Sequence, residues 1–379
     1  MSGLTLGVVG TSRKENEHRI PIHPDHFDRI PEILRSRVRF ENGYGEVWGI
    51  SDHHLGKQFG GTASRSEILA ESGVVLLPKP LLQDLGEIRE GGILWGWPHC
   101  VQQAPVTQLA IDRRLTLIAW EAMHVWKKGE TGEMHLFYRN NEMAGYCAVL
   151  HAMELAGVDG YYGPRREAVV LSLGSVSRGA IAALRGRGVE DVAVYTQRPG
   201  WAVHDRVPGC RYGQMVRAGD TVEVVEDNGL RRPLVQVLAR ADIIVNGILQ
   251  DTDSPLMFMR EGDEKLLKPG SLIVDGSCDD AMGFPFARPT TFEAPTFRAG
   301  NAVYYAVDHT PTYLWRSASW EISHVVTAYV ETVLGGGDAW DDNETIRRAI
   351  EIRDGVVQNP KILSYQKRSP EHPHPRLSD

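Results

Sequence analysis

The sequence has few cysteines and no arrangement that would pair them. Among its 379 residues there are four, at positions 100, 147, 210 and 278, and no C-x-x-C pair occurs. This spacing argues against a cysteine zinc site and against a disulfide-rich secreted domain, and it suits a reducing cytoplasm. We therefore expect a protein without a metal centre.

Long hydrophobic runs and an excess of basic charge are also missing. No apolar run approaches the roughly 20 residues of a membrane span, and the N-terminus, MSGLTLGVVG, enters a predicted strand without a basic leader. The formal net charge is −8 with both signs interspersed, which argues against nucleic acid or an anionic membrane as partner. We expect a cytoplasmic protein whose partners are small molecules.

The pattern that is present indicates an α/β fold. Apolar runs of strand length alternate with helical segments, and chains beyond roughly 250–300 residues usually divide into domains. We predict two Rossmann-like domains, with a dinucleotide-binding domain at 141–309 inserted in a discontinuous substrate domain of 1–140 and 310–379. A 3.6-residue apolar stripe predicts a core-facing helix at 321–334. Residues 199–217 are interpreted as loop-rich, and the tail from Ser369 as disordered.

The stretch 168–198 has the order of the first half of a dinucleotide-binding fold. A strand, a turn rich in serine and glycine, a helix and a second strand follow within about 30 residues. On the fingerprint G-x-G-x-x-G, only the middle glycine, where backbone approaches a pyrophosphate, is retained. A plain strand–helix turn is the alternative interpretation. The expected cofactor contacts, at the turn and the helix N-terminus, are Ser172, Gly174, Ser175, Val176 and Ser177.

The end of the second strand predicts which nicotinamide cofactor is used. About 20 residues past the glycines, where a carboxylate would hold the ribose of NAD(H), the sequence has Thr196, Gln197 and Arg198. A guanidinium without a neighbouring carboxylate suits a 2′-phosphate. NADPH is therefore expected in preference to NADH, although Arg198 alone could equally be a solvated loop residue.

Further polar residues follow predicted strands, and ligands bind beyond the carboxyl ends of strands in open α/β sheets. In the first domain these are Lys79, flanked by two prolines, His99 and Glu121. A single histidine after a strand is more often structural, so the prediction depends on all three. In the dinucleotide domain the expected cofactor contacts are Asn246, Asp275 and His309, and either Asp275 or Asp279 is expected to face the nicotinamide.

Several stretches together resemble the alanine dehydrogenase superfamily, and the resemblance extends over nearly the whole chain. ENEHRIPI resembles that superfamily's substrate-arginine segment, LLPKP its lysine strand, WGWPH its catalytic-histidine strand and VDGSCDD its nicotinamide-side loop. The closer similarity is to its opine-type dehydrogenases, through YYAVDHTPTYLWRSASWEIS and AIEIRDGVVQNPKILS. The serines at two fingerprint positions and Thr196 depart from the alanine dehydrogenase pattern, which puts NAD use in doubt.

The resemblance implies an activity and roles for the predicted residues. Arg19 and Lys79 would bind a keto-acid carboxylate, His99 would be the acid/base, and Asp279 would act beside the nicotinamide, so His99, Asp279 and Lys79 are the expected catalytic residues. Glu121 is expected to contact substrate because of its position at a strand end. The implied reaction is the NADPH-dependent reductive condensation of a 2-keto acid, pyruvate first, with the side-chain amine of ornithine or lysine. A homo-oligomer is expected. Two alternatives stay open: an amino-acid dehydrogenase of alanine or saccharopine dehydrogenase type, and a cofactor-binding sensor that has lost its chemistry.

Overall fold

A computed structural model describes residues 3–126, 134–226 and 229–377. The chain divides into two compact units. Unit 1 consists of Met1–Tyr138 and Trp315–Asp379, and unit 2 of Arg139–Leu314. Over the described ranges, no helix combines the length and the apolar character needed to cross a membrane.

Strands and helices alternate through most of both units. The strands are β1 (Leu6–Val8), β2 (Val38–Glu41), β3 (Thr62–Ala63), β4 (Val74–Leu76), β5 (Ile93–Gly96), β6 (Thr116–Ala119), β7 (His124–Val125), β8 (Met134–His135), β9 (Glu167–Leu171), β10 (Asp191–Thr196), β11 (Arg211–Ala218), β12 (Thr221–Glu226), β13 (Arg231–Pro233), β14 (Ile243–Asn246), β15 (Leu272–Asp275), β16 (Thr296–Ala299), β17 (Ala302–Tyr305), β18 (Ile350–Arg353) and β19 (Val356–Val357). The α-helices are α1 (Glu32–Arg35), α2 (Asp52–Gln58), α3 (Arg65–Glu71), α4 (Leu82–Glu87), α5 (Ala104–Asp112), α6 (Tyr138–Ala156), α7 (Ser175–Gly186), α8 (Leu234–Leu238), α9 (Trp315–Gly335), α10 (Gly337–Asp342), α11 (Glu344–Ala349) and α12 (Pro360–Tyr365).

The sheet of unit 1 has the order β19-β18-β6-β5-β4-β1-β2-β3. Strands β1 to β6 are parallel. Strand β18 pairs antiparallel with β6, and β19 pairs antiparallel with β18 at the edge of the sheet. Alternate strand residues enter two separate cores, as Leu76 and Val75 do on opposite faces. Residues of α9 cover one face, where Ile322, Val326 and Val330 are buried as the apolar stripe predicts. A parallel sheet covered on both faces explains why its strands are uniformly apolar.

The sheet of unit 2 has the order β13-β12-β11-β10-β9-β14-β15-β17-β16. Its six central strands, from β11 to β17, are parallel and follow the 3-2-1-4-5-6 order of a doubly wound dinucleotide fold. The antiparallel strands β12 and β13 extend one edge and β16 the other. The prediction that 199–217 is loop-rich is therefore wrong in its last part, where β11 begins.

The C-terminal tail is ordered as far as residue 377, so the prediction of disorder is wrong there. Arg368 and Arg376 form an antiparallel bridge. His374 is buried, and its Nε2 accepts a hydrogen bond of 3.1 Å from the backbone N–H of Val357. The composition of the tail is typical of a solvated segment. Composition alone does not reveal a specific contact such as the one between His374 and β19.

Candidate active site

Lys79 and His99 meet at the carboxyl edge of the unit 1 sheet. Strands β4 and β5 are adjacent and parallel, with Leu76 opposite Trp95, so the residues just beyond their ends lie side by side. The Lys79 Nζ and His99 Nε2 are 2.8 Å apart. Because an ammonium group can only donate, Nε2 is the acceptor and the His99 proton lies on Nδ1. His99 has a φ of 50°, a conformation that non-glycine residues rarely adopt outside sites that need it.

Glu121 joins this pair from the next strand end, after β6. Its Oε1 accepts a 2.7 Å hydrogen bond from the backbone N–H of His99 and lies 3.7 Å from His99 Nδ1. Burial, followed by the neighbouring carboxylate of Glu351, raises the pKa of Glu121. The structure therefore brings together the three strand-end residues that the sequence predicted.

Arg19 approaches the same place from the segment after β1. Its guanidinium carbon lies 5.1 Å from the centroid of the Trp97 ring, and Lys79 Nζ lies 6.0 Å from that centroid. Arg19 is also buried in an ion pair with Glu17, in which Arg19 Nε donates to Glu17 Oε1 at 2.8 Å and Nη2 contacts Oε2 more closely. Sequence reasoning missed Glu17, although it stands two residues before Arg19 in ENEHRI. The cationic site is thus partly neutralised by its own carboxylate.

Aromatic rings form the wall behind these charges. The rings of Trp97 and Trp120 lie 4.7 Å apart edge to face, and Trp120 stacks on Phe137 at 4.9 Å. Such a wall holds the charged groups in a setting where electrostatic interactions are stronger than in water.

A cleft of about 530 Å³ borders the Glu17 segment in unit 1. Its lining combines cationic, anionic and aromatic side chains, among them Lys14, Glu17, Glu41, Trp48 and Trp315.

In unit 2 the predicted phosphate turn follows β9. Ser172, at the first fingerprint position, has the left-handed φ of 86° that explains why glycine is usual there. A Cβ placed on Gly174 would meet only Ser172 Oγ, at 3.8 Å, so the turn is open above that glycine. Helix α7 begins at Ser175, and no side chain of the described residues caps it. Its first N–H groups are therefore available to an anion.

The third fingerprint position serves close packing. Ser177 is buried, and its Oγ donates to the Leu171 carbonyl at 3.3 Å. Helix α7 also approaches α6 very closely, because a Cβ on Gly179 would lie 1.8 Å from the Glu142 carbonyl oxygen. The backbone contact that places α7 thus depends on a glycine two residues beyond the fingerprint.

The end of β10 presents a cation without a carboxylate. Thr196 is buried, and its Oγ1 donates to the Arg198 carbonyl at 2.9 Å. Arg198 is exposed and makes no ion pair with any residue that the structure describes. A cleft of about 410 Å³ adjoins this strand end, lined by residues that include Gln197, Arg217 and Gln250. Asp251 also lines this cleft, whereas Arg198 is not among its lining residues.

Asn246 and Asp275 close β14 and β15 but use their side chains inside the unit. Asp275 Oδ1 accepts 3.0 Å hydrogen bonds from Asn246 Nδ2 and from the Ser277 backbone, and Oδ2 accepts one of 2.7 Å from Tyr304. Burial raises the pKa of Asp275 to about 6. Tyr304 was not predicted, since only the fold brings it to Asp275. The Asp275 carboxylate is therefore buried in hydrogen bonds within unit 2, where it holds the start of the loop after β15, and it is not exposed to a ligand.

The last two predicted residues also belong to unit 2. Asp279 is half-buried in the loop after β15, where Cys278 and Ala281 have φ values of 56° and 53°. His309 is buried, its Nδ1 contacts Asp308, and its ring lies 4.8 Å from that of Phe292. The predicted site residues therefore form two groups, one in each unit. Over the described ranges, no group of three or more His, Cys, Asp or Glu residues could hold a metal ion.

Two doubly wound sheets, one with an open phosphate turn and one with a lysine–histidine pair, are typical of a nicotinamide-dependent dehydrogenase. A model of the family described as alanine dehydrogenase/PNT, C-terminal domain, matches residues 167–360. The chain belongs to the alanine dehydrogenase/PNT family. It is an oxidoreductase of the amino-acid dehydrogenase type, and membership in this family implies a nicotinamide dinucleotide cofactor.

Individual relatives agree with this placement. N(5)-(carboxyethyl)ornithine synthase of Lactococcus lactis subsp. lactis is 25% identical over 337 residues, which cover 86% of this chain and 94% of the relative. Alanine dehydrogenase of Mycolicibacterium smegmatis is 24% identical over 378 residues, which cover 93% and 95%. A solved structure of L-alanine dehydrogenase superposes with a TM-score of 0.72 at 17% identity, covering 96% of this chain and 99% of that one. The prediction of an α/β fold with two Rossmann-like domains is confirmed.

Proposed function

We propose that this protein catalyses the NADPH-dependent reductive condensation of a 2-keto acid with the amine of an amino acid. Pyruvate is the proposed keto acid, the side-chain amine of ornithine or lysine is the proposed nucleophile, and the product is an N-(carboxyethyl) amino acid. The observation that carries the proposal is the 2.8 Å contact between Lys79 Nζ and His99 Nε2. It sets a fixed cation beside a group that can exchange protons near neutral pH.

The residues of unit 1 match the needs of the keto acid. Its carboxylate requires cations, a role we assign to Lys79 and Arg19, both of which lie near the Trp97 ring. Its carbonyl oxygen requires a proton when the amine adds and another when water leaves. We assign both transfers to His99, which takes the first proton from the adding amine and the second from solvent. Glu121 holds the backbone of His99 through the 2.7 Å hydrogen bond. In this proposal the protein orients the substrate and transfers protons, while the cofactor supplies the hydride.

The residues of unit 2 match the needs of the cofactor. The turn at Ser172 and Gly174 and the N-terminus of α7 would hold its pyrophosphate, and Arg198 would hold the 2′-phosphate. When bound, the reduced nicotinamide supplies the hydride that completes the reduction. We assign the loop with Asp279, and His309, to the nicotinamide end. This assigns cofactor binding to the domain at 141–309, and we propose that the enzyme acts as a homo-oligomer.

The cleft beside Glu17 supports a second amino acid as co-substrate. A zwitterion with an extended side chain needs a cation, an anion and an apolar wall, and the lining offers Lys14, Glu17 and Trp48. An enzyme that used ammonia alone would not need this space.

An amino-acid dehydrogenase of alanine or saccharopine dehydrogenase type is the second candidate. It is favoured by the similarity to alanine dehydrogenase over 93% of this chain. The two candidates differ in the nitrogen donor and therefore in the mass of the product.

The test is NADPH oxidation with a panel of keto acids crossed with amines, including ornithine, lysine and ammonia, followed by mass spectrometry. We expect oxidation with pyruvate and a diamino acid, and a product in which the two are joined with loss of water and gain of two hydrogens. Efficient turnover with ammonia and no condensed product would establish the second candidate. No oxidation with any pair would contradict both and favour a sensor.

A further inference from the structure

We propose that Glu351 is a positioning residue for the proposed reaction: it shares one proton with Glu121 and thereby sets the charge that Glu121 presents to His99. This inference rests on the proposed function for its meaning, but its test does not require substrate. Glu351 comes from the C-terminal part of unit 1, more than 200 residues from Glu121.

A β-bulge brings Glu351 to the site. Strand β18 pairs antiparallel with β6, with Ile350 opposite Ile118 and Ile352 opposite Leu117, and the register shifts between these pairs at Glu351. A bulge leaves one residue outside the ladder and redirects its side chain, often next to an active site. The β6 partner strand ends at Ala119, two residues before Glu121.

The two carboxyl groups hold adjacent residues of the segment that carries His99. Glu121 Oε1 accepts from the His99 backbone N–H at 2.7 Å. Glu351 interacts with the buried thiol of Cys100, the next residue along the chain. Glu351 Oε1 also accepts a 3.0 Å hydrogen bond from Asn359 Nδ2. One oxygen of each carboxyl group is therefore used to fix the structure around His99.

The other oxygen of each carboxyl group has no hydrogen-bond partner within the described ranges. Glu121 Oε2 and Glu351 Oε2 are both buried, and neither has a hydrogen-bond partner among the described residues. A buried carboxylate oxygen without a partner is strongly unfavourable, whereas a shared proton satisfies both oxygens at once. Burial raises the pKa of each carboxyl group, and the neighbouring Glu351 charge raises that of Glu121 further. Two carboxyl groups so placed titrate as a pair that retains one proton near neutral pH.

Four other ionisable groups surround Glu121: Lys79, His99, His135 and Cys100. Lys79 and His99 face it from the ends of β4 and β5. His135 on β8 faces the Glu121 backbone, and burial lowers the pKa of His135 to about 4. Burial raises the pKa of Cys100, so His135 and Cys100 stay neutral. The charge of the carboxyl pair therefore acts on Lys79 and His99.

The test is the titration of His99 followed by NMR of ¹³Cε1-labelled histidine in the full-length protein. The His99 signal is assigned by its absence from His99→Gln. In Glu351→Gln the new amide can donate to Glu121 Oε2, so Glu121 carries its full charge and the His99 midpoint rises by about one pH unit. Glu121→Gln removes the charge and lowers the midpoint. The control is Glu331→Gln, an exposed glutamate on α9, which should leave it unchanged.

An unchanged midpoint in Glu351→Gln, or a shift in the same direction as in Glu121→Gln, would overturn the inference. If Glu351→Gln does not fold, Asn359→Ala takes its place. Loss of the Asn359 amide donor shifts the shared proton toward Glu351, so the His99 midpoint should rise by a smaller amount, and an unchanged or lowered midpoint would overturn the inference. A protein that makes no condensed product but shows these shifts would refute the proposed function alone.

Discussion

The two units order their parallel strands in the same way but treat the turn after the first strand differently. In unit 1 the backbone N–H groups of Gly10 and Thr11 both donate to Glu41 Oε2, each at 2.8 Å, and the Thr11 hydroxyl donates to Oε1 at 2.6 Å. Glu41 ends the second strand, β2. In unit 2 the second strand ends at Thr196 and is followed by Arg198, and no side chain in the described part of the chain caps the helix after the turn.

The residue at the end of the second strand thus decides what the turn can bind. A carboxylate there closes the turn with the protein's own anion, whereas a cation leaves it open to a phosphate and attracts one. Unit 1 is free to use its sheet edge for Lys79, His99 and Glu121. Under the proposed function, one strand order therefore serves proton transfer in unit 1 and cofactor binding in unit 2.

The largest expected effect is a loss of stability when the close contact between α7 and α6, which positions the open turn of unit 2, is disrupted. Gly179→Ala would set a Cβ 1.8 Å from the Glu142 carbonyl oxygen, and this should cost about 3 kcal/mol or more of unfolding free energy. Urea unfolding and NADPH binding measure the loss. The control is Gly186→Ala on the same helix, where a Cβ meets nothing within 4 Å. It should be neutral or stabilise by about 0.5–1 kcal/mol, and equal effects of the two variants would contradict the packing argument.

The next largest effect is expected when Glu41, which closes the turn at Gly10 and Thr11 in unit 1, is removed. Glu41→Ala leaves two backbone N–H groups without their charged acceptor and should lower the unfolding free energy by about 2–3 kcal/mol. Glu71→Ala is the control, because its exposed ion pair with Arg39 should be worth about 0–1 kcal/mol.

The response of Glu41→Ala to anions tests whether the unit 1 turn, once Glu41 is removed, binds anions as the unit 2 turn is proposed to do. With Glu41 removed, the Gly10 turn should resemble that of unit 2, so sulfate should raise the melting temperature of Glu41→Ala more than that of the unaltered protein. An identical sulfate response would show that the turn does not bind anions when Glu41 is absent.

A smaller effect concerns the cation of unit 2. Arg198→Ala should reduce kcat/KM for NADPH by a factor that corresponds to about 1–3 kcal/mol, since a charge-assisted contact with the 2′-phosphate is lost. The value for NADH is the internal control and should be unchanged. A preference for NADH in the unaltered enzyme, or an equal loss with both cofactors, would refute the role of Arg198.

The smallest effect concerns the first fingerprint position. Ser172 has a φ of 86°, so Ser172→Gly should relieve about 1 kcal/mol of backbone strain while NADPH affinity is maintained. Thermal unfolding measures the gain. A destabilised variant would mean that the hydroxyl makes an interaction worth more than the strain.

Site residues could be predicted from the sequence where the topology of the sheet alone determines their position. Lys79, His99 and Glu121 could be found because adjacent parallel strands bring their ends to one edge. The sequence predicted poorly where a partner comes from elsewhere in the chain. Glu351 reaches Glu121 only through a bulge in an antiparallel strand, and Tyr304 reaches Asp275 only across β15 and β17.

Strand β11 shows a different limit. Only Tyr212 and Met215 are buried in this strand, three positions apart, so its burial does not follow the two-residue alternation of a strand, and Gly213 interrupts the apolar pattern. The sheet edge that β12 and β13 provide stabilises it, and this pairing is not visible in local sequence.

The division of work between the units is tested most directly by single-turnover hydride transfer in His99→Ala, with NADPH affinity measured on the same sample. The account predicts unchanged NADPH affinity and a transfer rate lower by roughly 10²–10⁴-fold, because unit 2 holds the cofactor and unit 1 moves the protons. Single-turnover kinetics is the appropriate measurement, since product release could mask the effect in kcat. A near-normal transfer rate would contradict the account and make Asp279 the leading candidate for the proton donor.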